Sequence, residues 1–355
     1  MKNALPTTTL AFLNIVLTLL FTVLLGYLLV IGKDVLLPVF IAIISVYVLV
    51  SASDWLSTQP FVGRLPEWAR RLLVLTIFVC SVLVLTAVVI STAQELLIQI
   101  PIYQENLKSL ASGVFTSFGI EVPSNWAAIW KQITGKISVQ ALISTTLSSA
   151  GSVASVIFMV VVYAMFLLGE RVGFGHKIAT ALSGKSAEQT QEIVNQINSG
   201  IGDYLAVKTF INVILATISF AILWLFGVDF ALFWAILIGL LNYIPFVGSL
   251  VGVLFPVLLA MVQFGSVQTT FLVLVCLTIA QLWVGNSLEP RMIGRKVNMS
   301  PFVVLFSLAV WSSLWGVAGA ILAVPLTSIF AIILASFYAT RPFAIMLSNS
   351  PEDIA

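Results

Sequence analysis

The chain has 355 residues, of which 60% are hydrophobic and 8% charged, and it carries a net charge of +2. A soluble domain of this size needs roughly a quarter of its residues charged to cover its surface, so the composition excludes one and predicts an integral membrane protein. A small net charge without a basic tail gives no reason to expect a nucleic-acid partner.

The charge-free runs cover residues 3–32, 35–53, 72–94, 137–169, 209–228, 230–288 and 297–340. A helix crosses the hydrocarbon in about 20 residues. The first five runs therefore fit one span each, the fourth crossing from about Gly151. The sixth is long enough for three passes and the seventh for two. Residues 1–93 form an N-terminal region of three spans, whose first segment lacks a small-x-small cleavage site and reads as a retained span. Between the second and third spans lies DWLSTQPFVGRLPEWARR, a basic loop with two prolines. Residues 94–150 are more polar and predict a helical region outside the membrane, where Ser124 caps a helix carrying Trp126 and Trp130 on one face. Residues 151–208 hold the fourth span and an amphipathic helix that opens with a capping box, Ser186 to Gln189. Its Ile193, Ile197, Ile201 and Leu205 recur every four residues as an apolar stripe for packing. That helix is expected to run directly into the fifth span, with Gly200 and Gly202 as a flexible point. Residues 209–340 form the transport region and 341–355 a tail.

Lysine and arginine set the orientation. With the N-terminus inside, Lys2, Arg64, Arg70, Arg71, Arg171, Lys177, Lys185, Lys208, Arg291, Arg295, Lys296 and Arg341 are cytoplasmic, against Lys33, Lys108, Lys131 and Lys136 outside. Both termini are expected in the cytoplasm.

Residues 209–264 and 267–338 share a plan: one span, a short polar connection, then a long apolar segment interrupted near its centre. The first interruption holds Asn242, Tyr243, Pro245 and Gly248; the second holds Ser312, Ser313, Gly316 and Gly319, with Pro325 further on. Proline frees carbonyls that lipid cannot satisfy, so both breaks must face protein or a wet cavity. The two units enter from opposite sides, an inverted pair of the kind that marks a transporter's binding site. Pro245 and Gly316 are expected to approach each other near the midplane. With Gln281 and Asn286 on the seventh span, these residues are the candidate solute contacts. Glycines also serve close helix packing, Gln281 and Asn286 also suit interhelical hydrogen bonds, and Tyr243 also suits a wall. Asn242 beside a breaker points to the solute, so Asn242→Leu is expected to spare assembly and stop transport. Glu289, Pro290 and Arg291 read as a charged junction at the start of the second hairpin. The fold class is thus an all-α polytopic membrane protein of five single spans plus an inverted pair of span-and-broken-hairpin units. An extracytoplasmic helical arm and an amphipathic cytoplasmic helix complete it.

GDYLAVKTFIN, LNYIPFVGSLVG and NSLEPRMIGRKVNMSPFVVLFSLAVWSSLWGVAGAILAVPLT resemble the autoinducer-2 exporter family of bacterial membrane proteins, most specifically over residues 203–327. The resemblance implies an inner-membrane exporter, a homo-oligomer such as a pentamer, and an elevator-like step. Other branches resemble sodium or lithium/proton antiporters. Asp203, Asp229 and Glu289 all fall at span ends, whereas the deep polar groups Asn242, Tyr243, Ser249, Gln281, Ser312 and Ser313 are neutral. Amides and hydroxyls suit a small polyhydroxylated solute better than a bare cation, so export of autoinducer-2 is the expected function, drawing on a proton or sodium gradient. Cation/proton antiport is the alternative, and a non-transporting scaffold the third reading. No enzyme, metal or cofactor is expected: His176, the one histidine, sits in a loop, no Walker motif occurs, and Cys80 and Cys276 lie in apolar segments as buried thiols.

Overall fold

Gly32 ends α1 (Thr7–Ile31) and opens α2 (Lys33–Ser57), because its amide still closes onto Leu28 O while a side chain there would meet the same oxygen at 2.9 Å. The computed structural model describes residues 7–117, 155–170, 177, 180–181, 185–294, 298–350 and 352. The elements that follow are α3 (Glu67–Ser117), α4 (Ser155–Glu170), α5 (Lys185–Leu225), α6 (Ala231–Leu241), α7 (Val247–Phe264) and α8 (Val267–Trp283). A π-helical turn (Val284–Leu288) joins α8 to α9 (Glu289–Ile293), and α10 (Pro301–Ala335) and α11 (Arg341–Leu347) close the fold. Among the described residues, seven helices are long and apolar enough to cross a membrane; α4 and α6 are shorter. The chain is a multi-pass helical membrane protein. Ser124, Trp126, Trp130, His176, Arg295 and Lys296 lie outside the described residues.

One boundary differs from the charge pattern. α3 runs unbroken through Pro101, so residue 93 is no helix end. Polar residues such as Gln94 and Glu95 interrupt hydropathy, but they are good helix formers and give no stop signal. α5 is one helix from Lys185 to Leu225, as the stripe predicts. Ile197, Ile201 and Leu205 pack on Ile44, Tyr47 and Val48 of α2 and on Val304 and Val324 of α10. Gly202 is a contact site and not a hinge, with Tyr47 and Ser51 against the position of its missing side chain. Gln189 donates its amide to Ser336 O, tying α5 to the end of α10.

Residues 231–264 fold as a helical hairpin. Its base is closed by Gln263, which donates to Gly227 O at 2.8 Å and accepts from Asp229 N at 2.8 Å. Its tip lies at residues 242–246. α10 is a second hairpin: helical geometry breaks at Trp315 (φ −129, ψ 15) and Gly316 (φ 61, ψ −141), and Trp311 Nε1 reaches back to Thr327 Oγ1 at 3.0 Å. Ser328 Oγ meets Met299 Sδ at 3.2 Å near the second base. The α2–α3 connection and the end of α4 share an apolar cluster at one end of the bundle. The far part of α3 reaches the base of the first hairpin, where Tyr103 donates to Asp229 Oδ2 at 2.7 Å and Asn106 donates to Gln263 O at 2.6 Å. Burial, then the hydrogen bond and charge of Asp229, push the Tyr103 phenol well above its usual range, so it remains a donor at any physiological pH.

The two tips share one buried apolar cluster. Trp315 Nε1 donates to Leu29 O at 2.9 Å, beside the α1–α2 corner. The first tip is held by Thr209, which lies about 24 Å of helix away from the Leu225 end of α5. Ile244 of the first tip joins Leu308, Trp311, Trp315 and Leu326 of the second hairpin in that cluster.

Candidate functional site

Tyr204, Lys208 and Asn212 recur every four residues and line one face of α5. All three are buried; Lys208 bonds to Glu289 of α9 and Asn212 to Asn242 of the first hairpin tip. Gln281 Nε2 donates to Asn242 Oδ1 at 2.9 Å, and Asn242 Nδ2 donates to Asn212 Oδ1 at 2.8 Å. Thr209 Oγ1 and Tyr243 Oη lie 2.6 Å apart. Asn242 is 7% exposed and Asn212 4%. The chain of amides ends at Asn212 Nδ2, a buried donor without a partner beside Tyr243.

One helical turn below, Lys208 Nζ donates to Glu289 Oε1 at 2.5 Å; the side chains are 5% and 28% exposed. The π turn explains how Glu289 arrives there. Eight residues of α-helix would rotate it about 80° from Gln281, and absorbing one extra residue reduces that to about 20°. Gln281 and Glu289 therefore share the face towards α5. The ring of Tyr204 lies within electrostatic range of both Glu289 and Tyr243.

The tip itself is strained. Phe246 has φ 61 and ψ −53, and Val247 N closes onto Pro245 O at 2.6 Å, a γ-turn of the rare hand with a bulky residue at its centre. Such a conformation costs on the order of 1–3 kcal/mol and persists only where surrounding contacts over-determine it. Those contacts are the Asn242 and Tyr243 bonds. Phe246→Gly is expected to raise thermal stability relative to Phe246→Ala, since both lose the ring but only glycine accepts the positive φ. Equal melting temperatures for the two variants would show that the turn stores no strain.

The remaining candidates separate into those inside this cluster and those outside it. Pro245 shapes the turn, and Gly248 and Gly319 make room for carbonyls of their own hairpins: a Cβ would stand 1.7 Å from Leu241 O and 1.9 Å from Trp311 O respectively. Ser312 and Ser313 bond to Ala309 O within their own helix, and Ser249 to Phe246 O. Asn286 is exposed on the π turn, away from the amide chain. Pro290 and Arg291 are exposed, so the junction charge of Glu289 is answered by Lys208 and not by its sequence neighbour. Pairing across 81 residues follows from the inward turn of the π segment. Cys80 and Cys276 are free thiols, but Cys80 is exposed and not buried, and Cys276 is half-buried. Tyr204, Lys208, Thr209 and Asn212 were not among the sequence candidates, although their four-residue recurrence parallels the apolar stripe beside it.

Comparison with known proteins shows the family of the chain. The model of the AI-2E family transporter matches residues 15–339. The AI-2 transport protein TqsA of Escherichia coli (strain K12) is 30% identical over 289 residues, which is 81% of this chain and 82% of that one. A Haemophilus influenzae protein provisionally named a transport protein is 28% identical over 291 residues, 81% of this chain and 83% of its own. Another from Borreliella burgdorferi, also provisionally named, is 28% identical over 253 residues, 71% and 68% of the two chains. With the match running from the first span to the end of the second hairpin, the chain belongs to the AI-2E family of membrane transporters.

Proposed function

We propose that the protein exports a small neutral polar metabolite, autoinducer-2 in particular, across the bacterial inner membrane. The observation that carries this reading is the run of buried and half-buried uncharged donors and acceptors at the first hairpin tip: Gln281, Asn242, Asn212, Tyr243 and Thr209. A solute rich in hydroxyls can exchange hydrogen bonds with such groups one for one, whereas an analogue lacking them leaves buried polar atoms unpaired. Similarity to TqsA, named an AI-2 transport protein, supports the choice of solute. In this reading both termini are cytoplasmic, the hairpins are re-entrant and enter from opposite sides, and solute crosses by an elevator-like movement of the hairpin region within a homo-oligomer such as a pentamer.

The test is efflux of autoinducer-2 from proteoliposomes of purified protein, with and without imposed proton and sodium gradients. Efflux above that of empty liposomes is expected. A sodium-driven pH change with no autoinducer-2 movement would instead make the protein a cation/proton antiporter, and no flux of either kind would favour a scaffold.

Asn242 has two protein partners, so it anchors the tip as well as facing the site. Asn242→Leu leaves Asn212 Oδ1 and Gln281 Nε2 buried and unpaired, at about 1–3 kcal/mol each. A fall in thermal stability together with at least about a tenfold loss of efflux is expected. Unchanged stability would return Asn242 to the role of a solute contact alone.

A further inference from the structure

We propose that Asn212 Nδ2 and Tyr243 Oη form a subsite for one hydroxyl of the transported solute, which accepts from the amide and donates to the phenol oxygen. The proposal rests on the transport reading above and assigns its specificity to one pair of atoms.

Among the described residues, three buried side-chain nitrogens have no hydrogen-bond partner: Arg70 Nε, Trp234 Nε1 and Asn212 Nδ2. Arg70 is already engaged through Nη1, which donates to Leu65 O at 2.8 Å. Trp234 is flanked by the rings of Phe233 and Phe255. Asn212 is set among polar groups, and at 4% exposure it has no water to turn to. A buried amide donor left unanswered is costly, and each one in a native structure calls for an explanation.

The bonds around Asn212 fix which groups are free. Gln281 Nε2 donates to Asn242 Oδ1 and Asn242 Nδ2 to Asn212 Oδ1, so the chain of amides runs one way and ends on an N–H. Thr209 Oγ1 gives its only proton to Leu205 O at 2.7 Å. In its 2.6 Å contact with Tyr243 the phenol is therefore the donor, which leaves the lone pairs of Tyr243 Oη open. An open donor thus stands beside an open acceptor, yet the two make no hydrogen bond to each other. A hydroxyl both accepts and donates, so it answers the two at once; a carbonyl answers only the amide, and a cation only the phenol oxygen. Lys208 and Glu289, one turn below, answer each other, so nothing here calls for a charged solute.

The two atoms are carried by elements of different kinds. Asn212 lies within the continuous helix α5, and its carbonyl would stand 3.0 Å from a Cβ placed on Gly239, so α6 packs hard against it. Tyr243 belongs to the non-helical tip, three residues before the strained Phe246. The donor is held by the frame and the acceptor by the turn. Displacing the turn opens the pair to the solute.

The test is a ratio of fluxes through the full chain in proteoliposomes. The probes are autoinducer-2 and ribose, each compared with its analogues that lack one hydroxyl. In the native protein, removing the hydroxyl that sits on this pair should lower flux at least about tenfold, because both atoms are then left buried and unanswered. Asn212→Leu should bring that ratio to within about twofold of one. A loss of folded protein lowers both fluxes alike and leaves the ratio unmoved, which separates recognition from structure. Tyr243→Phe keeps the ring and the amide chain, and it should erase most of the discrimination against the same analogue. It decides the matter should Asn212→Leu not insert. Native protein that carries every analogue as well as its parent, or variants that keep the native ratio, overturn the subsite. Discrimination lost in one variant and kept in the other overturns the pair. Should ribose cross and autoinducer-2 not, the choice of solute fails and the ribose ratios still decide the subsite; should neither cross, both fail. Autoinducer-2 crossing with ratios that the variants do not move overturns the subsite and leaves the transport reading standing.

Discussion

Gly248→Ala and Gly319→Ala are each expected to prevent their hairpin from closing. A methyl group on Gly248 would stand 1.7 Å from Leu241 O, and on Gly319 1.9 Å from Trp311 O. Both obstacles are backbone, so no side chain can swing aside. Overpacking that moves a backbone costs typically 1–3 kcal/mol and occasionally more, and here the two arms must separate by well over an ångström, so about 3 kcal/mol or more is expected. Gly316→Ala makes the comparison. Its Cβ side is open, and the cost comes only from φ 61, about 1–3 kcal/mol. Melting temperatures in detergent should therefore fall more for Gly248→Ala and Gly319→Ala than for Gly316→Ala, with efflux lost in the first two. A Gly248→Ala protein that melts like the native one would mean that the arms do not approach as described.

Lys208→Met should be the most damaging single change on α5. It leaves Glu289 beside a buried apolar surface without its cation, and breaking a buried pair from one side costs about 3–5 kcal/mol. Because Glu289 retains some exposure, the lower part of that range is expected. Adding Glu289→Gln should recover most of the loss, since a neutral pair has no charge to desolvate. The check is a double-mutant cycle of thermal stability: strong coupling between the two positions is expected, and additive losses would show that the pair is incidental to the fold.

These two sets of changes separate what could be foreseen from what could not. Composition and charge spacing were sufficient for the class of protein, because a bilayer requires long uncharged helices whatever their neighbours. The interruptions at Asn242–Pro245 and Ser312–Gly319 were visible for a related reason: breakers inside apolar runs need a local explanation. Sequence also marked Gly248 and Gly319 as special, but packing and solute contact remained equal readings of a glycine until Leu241 O and Trp311 O were found against them. The stripe of Ile197, Ile201 and Leu205 was legible from its period, and the polar face of Tyr204, Lys208 and Asn212 had the same period but was hidden by counting Lys208 as a boundary charge.

By itself, the sequence determined a helical membrane protein with two broken apolar segments, since hydropathy and breakers act over neighbouring residues; the family was carried by the resemblance of its motifs. Only the tertiary structure decided that Glu289 belongs to Lys208 and not to Arg291, that Gln281 and Asn212 share Asn242, and that Ile244 of the first tip is buried with Trp311 and Trp315 of the second hairpin. The physical reason is rotation: the one extra residue of a π turn redirects everything after it by about 100°, and no hydrophobic period records that. Partners 30 to 81 residues apart are then chosen by which faces the helices turn to one another.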